Sequence, residues 1–311
     1  MADGRVTIMG SFVADLAFRT PRLPGWGETV MGSSFRLGPG GKGSNQAVAA
    51  ARLNGEVVFI SKLGRDTFGE LARRTYAEEG IEARFVFETT EQETGAATII
   101  VDEAKGENAI VVVPGACFHL TSEEVDRASH LIKGAAVFLT QLELPIAVVE
   151  HGLKLARKLG VTTILNPAPA QALPDSIYPL CDYLTPNETE AAGLTRRTVA
   201  NAADAERAAD ALLARGARNV VVTLGAQGAL VKSSHTTERV PAFDAGPVVE
   251  TTGAGDAFNG TFAVGLSEGM DIVAATRFGC AAAAISVTRL GTATSMPQRW
   301  EVEALLKRGT G

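Results

Sequence analysis

The sequence predicts an α/β fold: a mostly parallel central sheet with helices on both faces, accompanied by a small β-sheet of its own. Three observations carry that reading. Strand-like and helix-like segments alternate through most of the 311 residues. Several of the strands are short unbroken apolar runs, the pattern of strands buried on both faces. Two segments, 12–37 and 95–113, break the rhythm with turn residues and short strands.

Taken in order, 6–9 is an apolar strand and 44–53 an alanine-rich helix. A strand over 57–62 precedes a helix over 67–79, where Thr67 and Glu70 have capping-box spacing; Thr121 and Glu124 repeat it. A buried strand follows at 135–140. Ile146, Val149, Leu153 and Ala156 then mark an amphipathic helix by their spacing. The strand series continues at 161–165, 183–185 and 220–224, and Phe258, Phe262 and Leu266 line one side of a helix over 257–266. Strands at 97–101 and 109–113 flank a polar turn, 102–108, and are expected to pair in the small sheet. Ligands of such folds bind at the carboxyl ends of the parallel strands, where Asn166, Asn187 and Gly225 fall.

Bulk properties exclude several classes. Hydrophobic residues make up 46% and charged residues 21%, ordinary for a globular chain. The net charge is −6 and the basic residues are scattered, so no nucleic-acid surface is expected. No apolar run approaches the roughly 18 residues of a membrane span, and residues 1–5 lead into a strand rather than an apolar leader. Cys117, Cys181 and Cys280 form no Cys-x-x-Cys pair, which fits a reducing compartment and places the chain in the cytoplasm. His119, His130, His151 and His235 lack zinc-type spacing.

The most informative stretch is 249–260. Gly253, Ala254 and Gly255 precede a helix, so free backbone N–H groups converge where the helix dipole favours an anion. Asp256 falls in the first turn beside that anion hole. A carboxylate there without its own positive partner reads as a base that takes a proton from an attacking hydroxyl. The plainer alternative is that Asp256 caps the helix.

The string Thr251-Thr252-Gly253-Ala254-Gly255-Asp256-Ala257-Phe258 resembles the C-terminal signature of the ribokinase-like (PfkB) sugar kinases. Gly40-Gly41-Lys42-Gly43-Ser44-Asn45-Gln46-Ala47 resembles the family's upstream signature. Further matching blocks are Asn166-Pro167-Ala168-Pro169-Ala170, Thr185-Pro186-Asn187-Glu188-Thr189-Glu190 and Thr223-Leu224-Gly225, in family order from Gly10 to about Pro297. The resemblance implies a single kinase domain over residues 1–311, with a discontinuous β lid from about 12–37 and 95–113 that also serves as a homodimer contact. It implies an ATP-dependent sugar kinase that phosphorylates a primary hydroxyl, D-ribose to D-ribose 5-phosphate first, with 2-deoxyribose or another sugar or nucleoside acceptor of the family as the alternative.

The resemblance also assigns site residues. Asp256 is the base, and Gly253, Ala254 and Gly255 are the anion hole. Val13, Asp15, Gly41, Lys42, Asn45 and Glu143 hold the sugar; a carboxylate such as Asp15 accepts from two adjacent hydroxyls. Asn187, Thr223, Leu224, Gly225, Ala226, Gln227, Gly228, Gly255 and Cys280 bind ATP. Glu190 places Mg2+ indirectly, since magnesium keeps most of its waters. Glu250, Thr252, Ser286, Arg289, Gly291 and Ser295 match a monovalent-cation (K+) site. The chain departs from the family twice: Glu250 stands where Asp is usual, and Val13 where Asn is usual.

Other readings of the same residues stay open. Gly38-Pro39-Gly40-Gly41-Lys42-Gly43 fits G-x-G-x-x-G, which makes an NAD-dependent oxidoreductase a remote alternative. Arg36 interrupts the preceding strand, however, and the next strand ends at Ser61-Lys62 without the ribose-binding acid. The loop is not a Walker A motif, because Gly43 rather than Ser or Thr follows Lys42. A mobile turn with Asn45 as helix N-cap, a helix start at Asn187, and a catalytically idle sugar-binding regulator are the bland readings.

Overall fold

A computed structural model describes residues 4–105 and 107–309. Residue 106, within the expected turn 102–108, and the first three residues, part of the N-terminal reading, lie outside the described residues. The chain begins β1 (Val6–Met9), β2 (Val13–Thr20), β3 (Ser34–Gly40), α1 (Lys42–Arg52), β4 (Val57–Gly64), α2 (Thr67–Glu78), β5 (Glu82–Thr89), β6 (Thr94–Asp102) and β7 (Asn108–Gly115). It continues through α3 (Ser122–Arg127), α4 (Ser129–Lys133), β8 (Val137–Thr140), α5 (Ile146–Lys158), β9 (Thr162–Leu165), β10 (Tyr183–Leu184), α6 (Glu188–Thr195), α7 (Ala202–Ala214) and β11 (Asn219–Thr223). It ends with β12 (Ala229–Ser233), β13 (Thr237–Val240), α8 (Ala254–Ser267), α9 (Ile272–Ser286) and α10 (Arg299–Arg308).

Among the described residues the main sheet has nine strands in the order β13-β12-β11-β10-β9-β8-β1-β4-β5. From β11 to β5 all neighbours are parallel; β12 and β13 add an antiparallel edge. Alternate residues feed opposite faces: Val137 and Leu139 enter the core beneath α1, α2 and α8–α10, while Phe138 enters the core beneath α3–α7. β1 lies between β4 and β8, so the winding direction reverses there. A crevice opens at the carboxyl ends of such a pair, and here Gly10 and Ser11 follow β1 and Gln141 follows β8.

The two rhythm-breaking segments form the expected separate sheet, of four strands in the order β3-β2-β6-β7. Its surface is unusually apolar: Phe35, Leu37 and the run Ile110, Val111, Val112 and Val113 are all exposed.

Two expectations are corrected. The Thr67–Glu70 box does not form; Asp66 is the N-cap of α2 and accepts from Gly69 N at 2.8 Å. Its second oxygen accepts from Thr94 N at 2.7 Å, so the carboxylate also ties α2 to the small sheet, which a threonine hydroxyl one residue later does not reach. Residues 38–40 are the end of β3 rather than a loop, and they belong to the small sheet, so the dinucleotide reading of that glycine string lacks its βαβ unit. The strands β5, β12 and β13 were not read from the sequence. The Thr121–Glu124 box is present as expected.

Candidate active site

The site is assembled where α1 crosses α8. Gly41 turns the chain from β3 into α1 with φ +84°, a conformation that suits glycine. At the crossing, a Cβ on Gly260 would overlap the carbonyl oxygen of Gln46, so only glycine lets the two helices approach so closely. The approach brings two amides of α1 onto the Asp256 carboxylate. Asn45 Nδ2 donates to Oδ2 at 3.0 Å, and Gln46 Nε2 donates to Oδ1 at 2.9 Å.

Asp256 therefore does not cap α8. The N-cap is Gly253, and no side chain caps that end. Asn45 likewise sits inside α1 rather than at its cap. Burial pushes the Asp256 carboxyl up from its ordinary range, and the Lys42 charge and the two amides oppose that shift. The expectation that Asp256 lacks a positive neighbour is thus corrected by Lys42. Burial disfavours the Lys42 ammonium, but Asp256, Glu143 and Glu190 outweigh it and hold its pKa above the ordinary value.

Glu143, just beyond β8, accepts from Lys42 N at 2.9 Å and from the Ser11 hydroxyl. Asp15 comes from β2 of the small sheet. Its Oδ2 accepts from Thr292 Oγ1 at 2.9 Å. Burial pushes the Asp15 carboxyl up to about 6 against that hydrogen bond, and the charges of Glu143, Asp256 and Glu250 add to the rise. Val13 lies two residues before Asp15 on the same face of β2; it is 4% exposed yet belongs to neither apolar core. Opposite these two residues β3 places Gly40 and Gly38, which leave the space free of side chains. Asn45 Oδ1 is buried here without a partner among the described residues, an acceptor aimed at an absent donor.

On the other side of Asp256 lies a cavity of about 680 Å³. Gly255 opens onto it, and a Cβ built there would meet nothing within 4 Å. Asn187, Thr223, Gly225, Ala226, Gly228 and Cys280 also line it. Leu224 is buried in a core instead, and Gln227 is exposed away from the lining. The remaining wall was missed in the sequence: the segment from Ala242 to Gly246 with Val248, and Ala283, Ala284 and Val287 of the α9 end. Burial pushes the Cys280 thiol up to about 12, so it contributes shape rather than reactivity.

Glu190 and Asn187 form a reciprocal capping box at the start of α6, with Asn187 N donating to Glu190 Oε2 at 2.9 Å. Glu190 is buried, and burial pushes its carboxyl up, only partly offset by that bond and by Lys42. Among the described residues no group of three or more His, Cys, Asp and Glu side chains is placed to hold a metal.

In the segment matched to a monovalent cation, Glu250 Oε2 accepts from Gly291 N at 2.8 Å. Ser295 Oγ donates to Thr292 O and Ser286 Oγ to Ala283 O, both at 2.8 Å. The Arg289 guanidinium turns away to Glu301, and Thr252 is exposed. Glu250 and Gly291 are thus brought together, while the Arg289 side chain is committed elsewhere.

A fold with a lid-like second sheet, a helix N-terminus facing a cavity and a buried carboxylate beside it defines a phosphotransferase architecture. Residues 3–299 match the model of the pfkB family carbohydrate kinases, and the chain belongs to that family. The chain is 41% identical over 302 residues to a ribokinase of Haemophilus influenzae, covering 97% of this chain and 98% of that one. It is 38% identical over 293 residues to a deoxyribokinase of Salmonella typhi, covering 94% and 95%. The structure of Arabidopsis thaliana ribokinase complexed with ribose and ATP superposes with a TM-score of 0.93 at 31% identity, covering 97% of this chain and 98% of that one. These findings leave no place for the NAD-dependent oxidoreductase alternative.

Proposed function

We propose that this chain transfers the γ-phosphoryl group of ATP to the primary hydroxyl of D-ribose, giving D-ribose 5-phosphate and ADP. The observation that carries the reading is the position of Asp256, hydrogen-bonded on both oxygens between the crevice under the small sheet and the cavity at the start of α8. The sugar occupies the crevice, with Asp15, Glu143 and Asn45 Oδ1 accepting from its hydroxyls, Lys42 offering donors, and Gly41 allowing close approach. ATP occupies the cavity, with its terminal phosphates at the N–H groups of Gly253, Ala254 and Gly255.

The bond from the sugar oxygen to the γ-phosphorus forms as the bond to the β,γ-bridging oxygen breaks. The hydroxyl proton passes to Asp256, and ADP leaves. Magnesium supplies charge neutralisation to the phosphates when bound; Glu190 and Asn187 orient its waters. The small sheet acts as a lid that excludes water from the reacting phosphoryl group. The exposed apolar residues of its other face, Phe35, Leu37, Val111 and Val113, pack against the same face of a second copy to make a homodimer. Glu250 and the main chain around Gly291 would hold a potassium ion, and the longer Glu side chain would alter that site relative to Asp. Three free, buried cysteines fit a cytoplasmic setting.

A second reading, 2-deoxyribose as preferred acceptor, is favoured by one residue. Val13 offers the crevice no hydrogen bond, so the site does not penalise a missing hydroxyl. A coupled ADP-release screen over ribose, 2-deoxyribose, fructose and nucleosides tests both readings. Turnover with ribose above all others is expected; no ADP release with any pentose would overturn the proposal and leave the idle-regulator reading.

A further inference from the structure

The amide of Gln46 belongs to none of the roles assigned above. Gln46 is wholly buried, and its side chain sits where the ends of several elements meet. Its Nε2 donates to Asp256 Oδ1 at 2.9 Å and to Asn166 Oδ1 at 3.0 Å. Its Oε1 accepts from Gln141 Nε2 at 2.6 Å.

The orientation of this amide is fixed by chemistry at the far end of the chain. Asn166 Nδ2 donates to the main-chain carbonyl of Thr185 at 3.1 Å, and a carbonyl only accepts. Asn166 must therefore present its oxygen to Gln46, and Gln46 must answer with its NH₂ group. The second hydrogen of that NH₂ points to Asp256. The series Gln141, Gln46, Asn166 and Thr185 thus runs across the carboxyl ends of β8, β9 and β10. An aliphatic side chain of the same size would fill the space without needing partners, so packing alone does not account for a glutamine.

Burial raises the Asp256 pKa, and the Lys42 charge and the two amide hydrogen bonds oppose that rise. The titratable groups that face it are Lys42 of α1, Glu143 beyond β8, Glu190 of α6 and Asp15 of β2. Three of these four are acids. Hydrogen bonds to the ionised form then matter, and Gln46 supplies one of the two.

We infer that Gln46 is a positioning residue for phosphoryl transfer: Gln141 and Asn166 orient its amide, and the amide fixes the Asp256 carboxylate while leaving lone pairs free for the acceptor hydroxyl. The inference rests on the reading of Asp256 as the base.

The test is the pH dependence of kcat and KM with ribose and magnesium ATP for the native protein, Gln46→Met, Gln141→Met and Asp256→Asn. Gln46→Met is expected to lower kcat at pH 7 roughly tenfold, keep KM for ATP within about twofold, and move the acid limb of kcat to higher pH. Gln141→Met should move the limb the same way by less, because it only loosens the orientation of Gln46. An acid limb unmoved in both variants, with any loss of kcat uniform across pH, would overturn the inference. If Gln46→Met does not fold, Gln141→Met decides alone: a shifted limb supports the inference and an unshifted one overturns it. Asp256→Asn separates the two layers. Normal turnover in that variant removes the base, whereas loss of turnover with unmoved limbs in the amide variants removes only the role of Gln46.

Discussion

On the small-sheet side of Asp256, four charged residues, Asp15, Lys42, Glu143 and Asp256 itself, crowd a crevice in which main-chain N–H groups, hydroxyls and amides take up the carboxylate oxygens. On the opposite side, the cavity of about 680 Å³ is walled largely by Gly, Ala, Val and Phe. On the proposed reading, the contrast follows from what each half recognises. A polyol offers only hydroxyls, so selectivity demands polar groups held in fixed directions, at the cost of burying like charges together. A flat base offers a wide apolar face, so small residues that leave a slot suffice, and phosphate recognition is left to backbone N–H groups.

Removing the proton acceptor should have the largest effect. Asp256→Asn keeps the shape but loses the base and turns one of the two acceptor positions into a donor, so kcat should fall about 10²–10⁴-fold. Nucleotide affinity, measured by calorimetry, should stay near its native value. Near-native kcat would erase the distinction between the two halves, because Asp256 would then be merely structural.

Filling the slot probes the other half. Ala284→Trp places a large ring in the cavity wall and should raise KM for ATP about 10- to 100-fold, equivalent to about 1.4–2.8 kcal/mol. KM for ribose should hardly change. Parallel rises in both constants would show that the halves are not separable.

The next effect concerns selectivity within the crevice. Val13→Asn returns a hydrogen-bonding group and should shift the ratio of kcat/KM for ribose over 2-deoxyribose toward ribose by roughly tenfold, about 1.4 kcal/mol. An unchanged ratio would mean that Val13 does not meet the distinguishing hydroxyl.

The smallest effect is on stability. The folded Asp15 carboxyl is pushed up to about 6 from 3.8, so the native state binds this proton more tightly than the unfolded chain does. Ionising it therefore costs the folded state: the penalty is complete above pH 6, shrinks as pH falls through 6, and vanishes below 3.8. Asp15→Asn should stabilise the sugar-free protein by about 1 kcal/mol at pH 8, allowing for the solvent that reaches a half-buried group. Thermal unfolding at pH 8 and pH 4 checks this. A gain in Tm that is equal at both values would argue that the crowding of acids in the crevice carries no strain.

The same contrast explains what the sequence reveals. Lys42, Asn45 and Asp256 are polar residues in short strings of small ones, and such combinations have few structural uses. Ala283, Ala284 and Val287 look like any buried helix face, so nothing distinguishes a slot from a core. Gln46 lies inside a legible string, yet its role depends on Gln141 and Asn166, whose nearness only the sheet order creates. The alternation of β strands and α helices was legible because each strand from β8 to β11 is a short apolar run. β5 and β13 escaped because edge strands carry charged residues such as Glu82, Arg84, Glu238 and Arg239. Asp66 and Thr67 are adjacent cap candidates, and only the extended backbone at Asp66 decides between them.

The central claim is that the crevice presents a primary sugar hydroxyl to Asp256 and the cavity presents the γ-phosphate of ATP to that hydroxyl. Phosphorus–proton NMR of the reaction with ribose and magnesium ATP tests it most directly. The account predicts one phosphorylated product, coupled to the protons of the primary carbon, formed in step with ADP. Phosphate on a secondary hydroxyl, or inorganic phosphate released without any sugar phosphate, would contradict it.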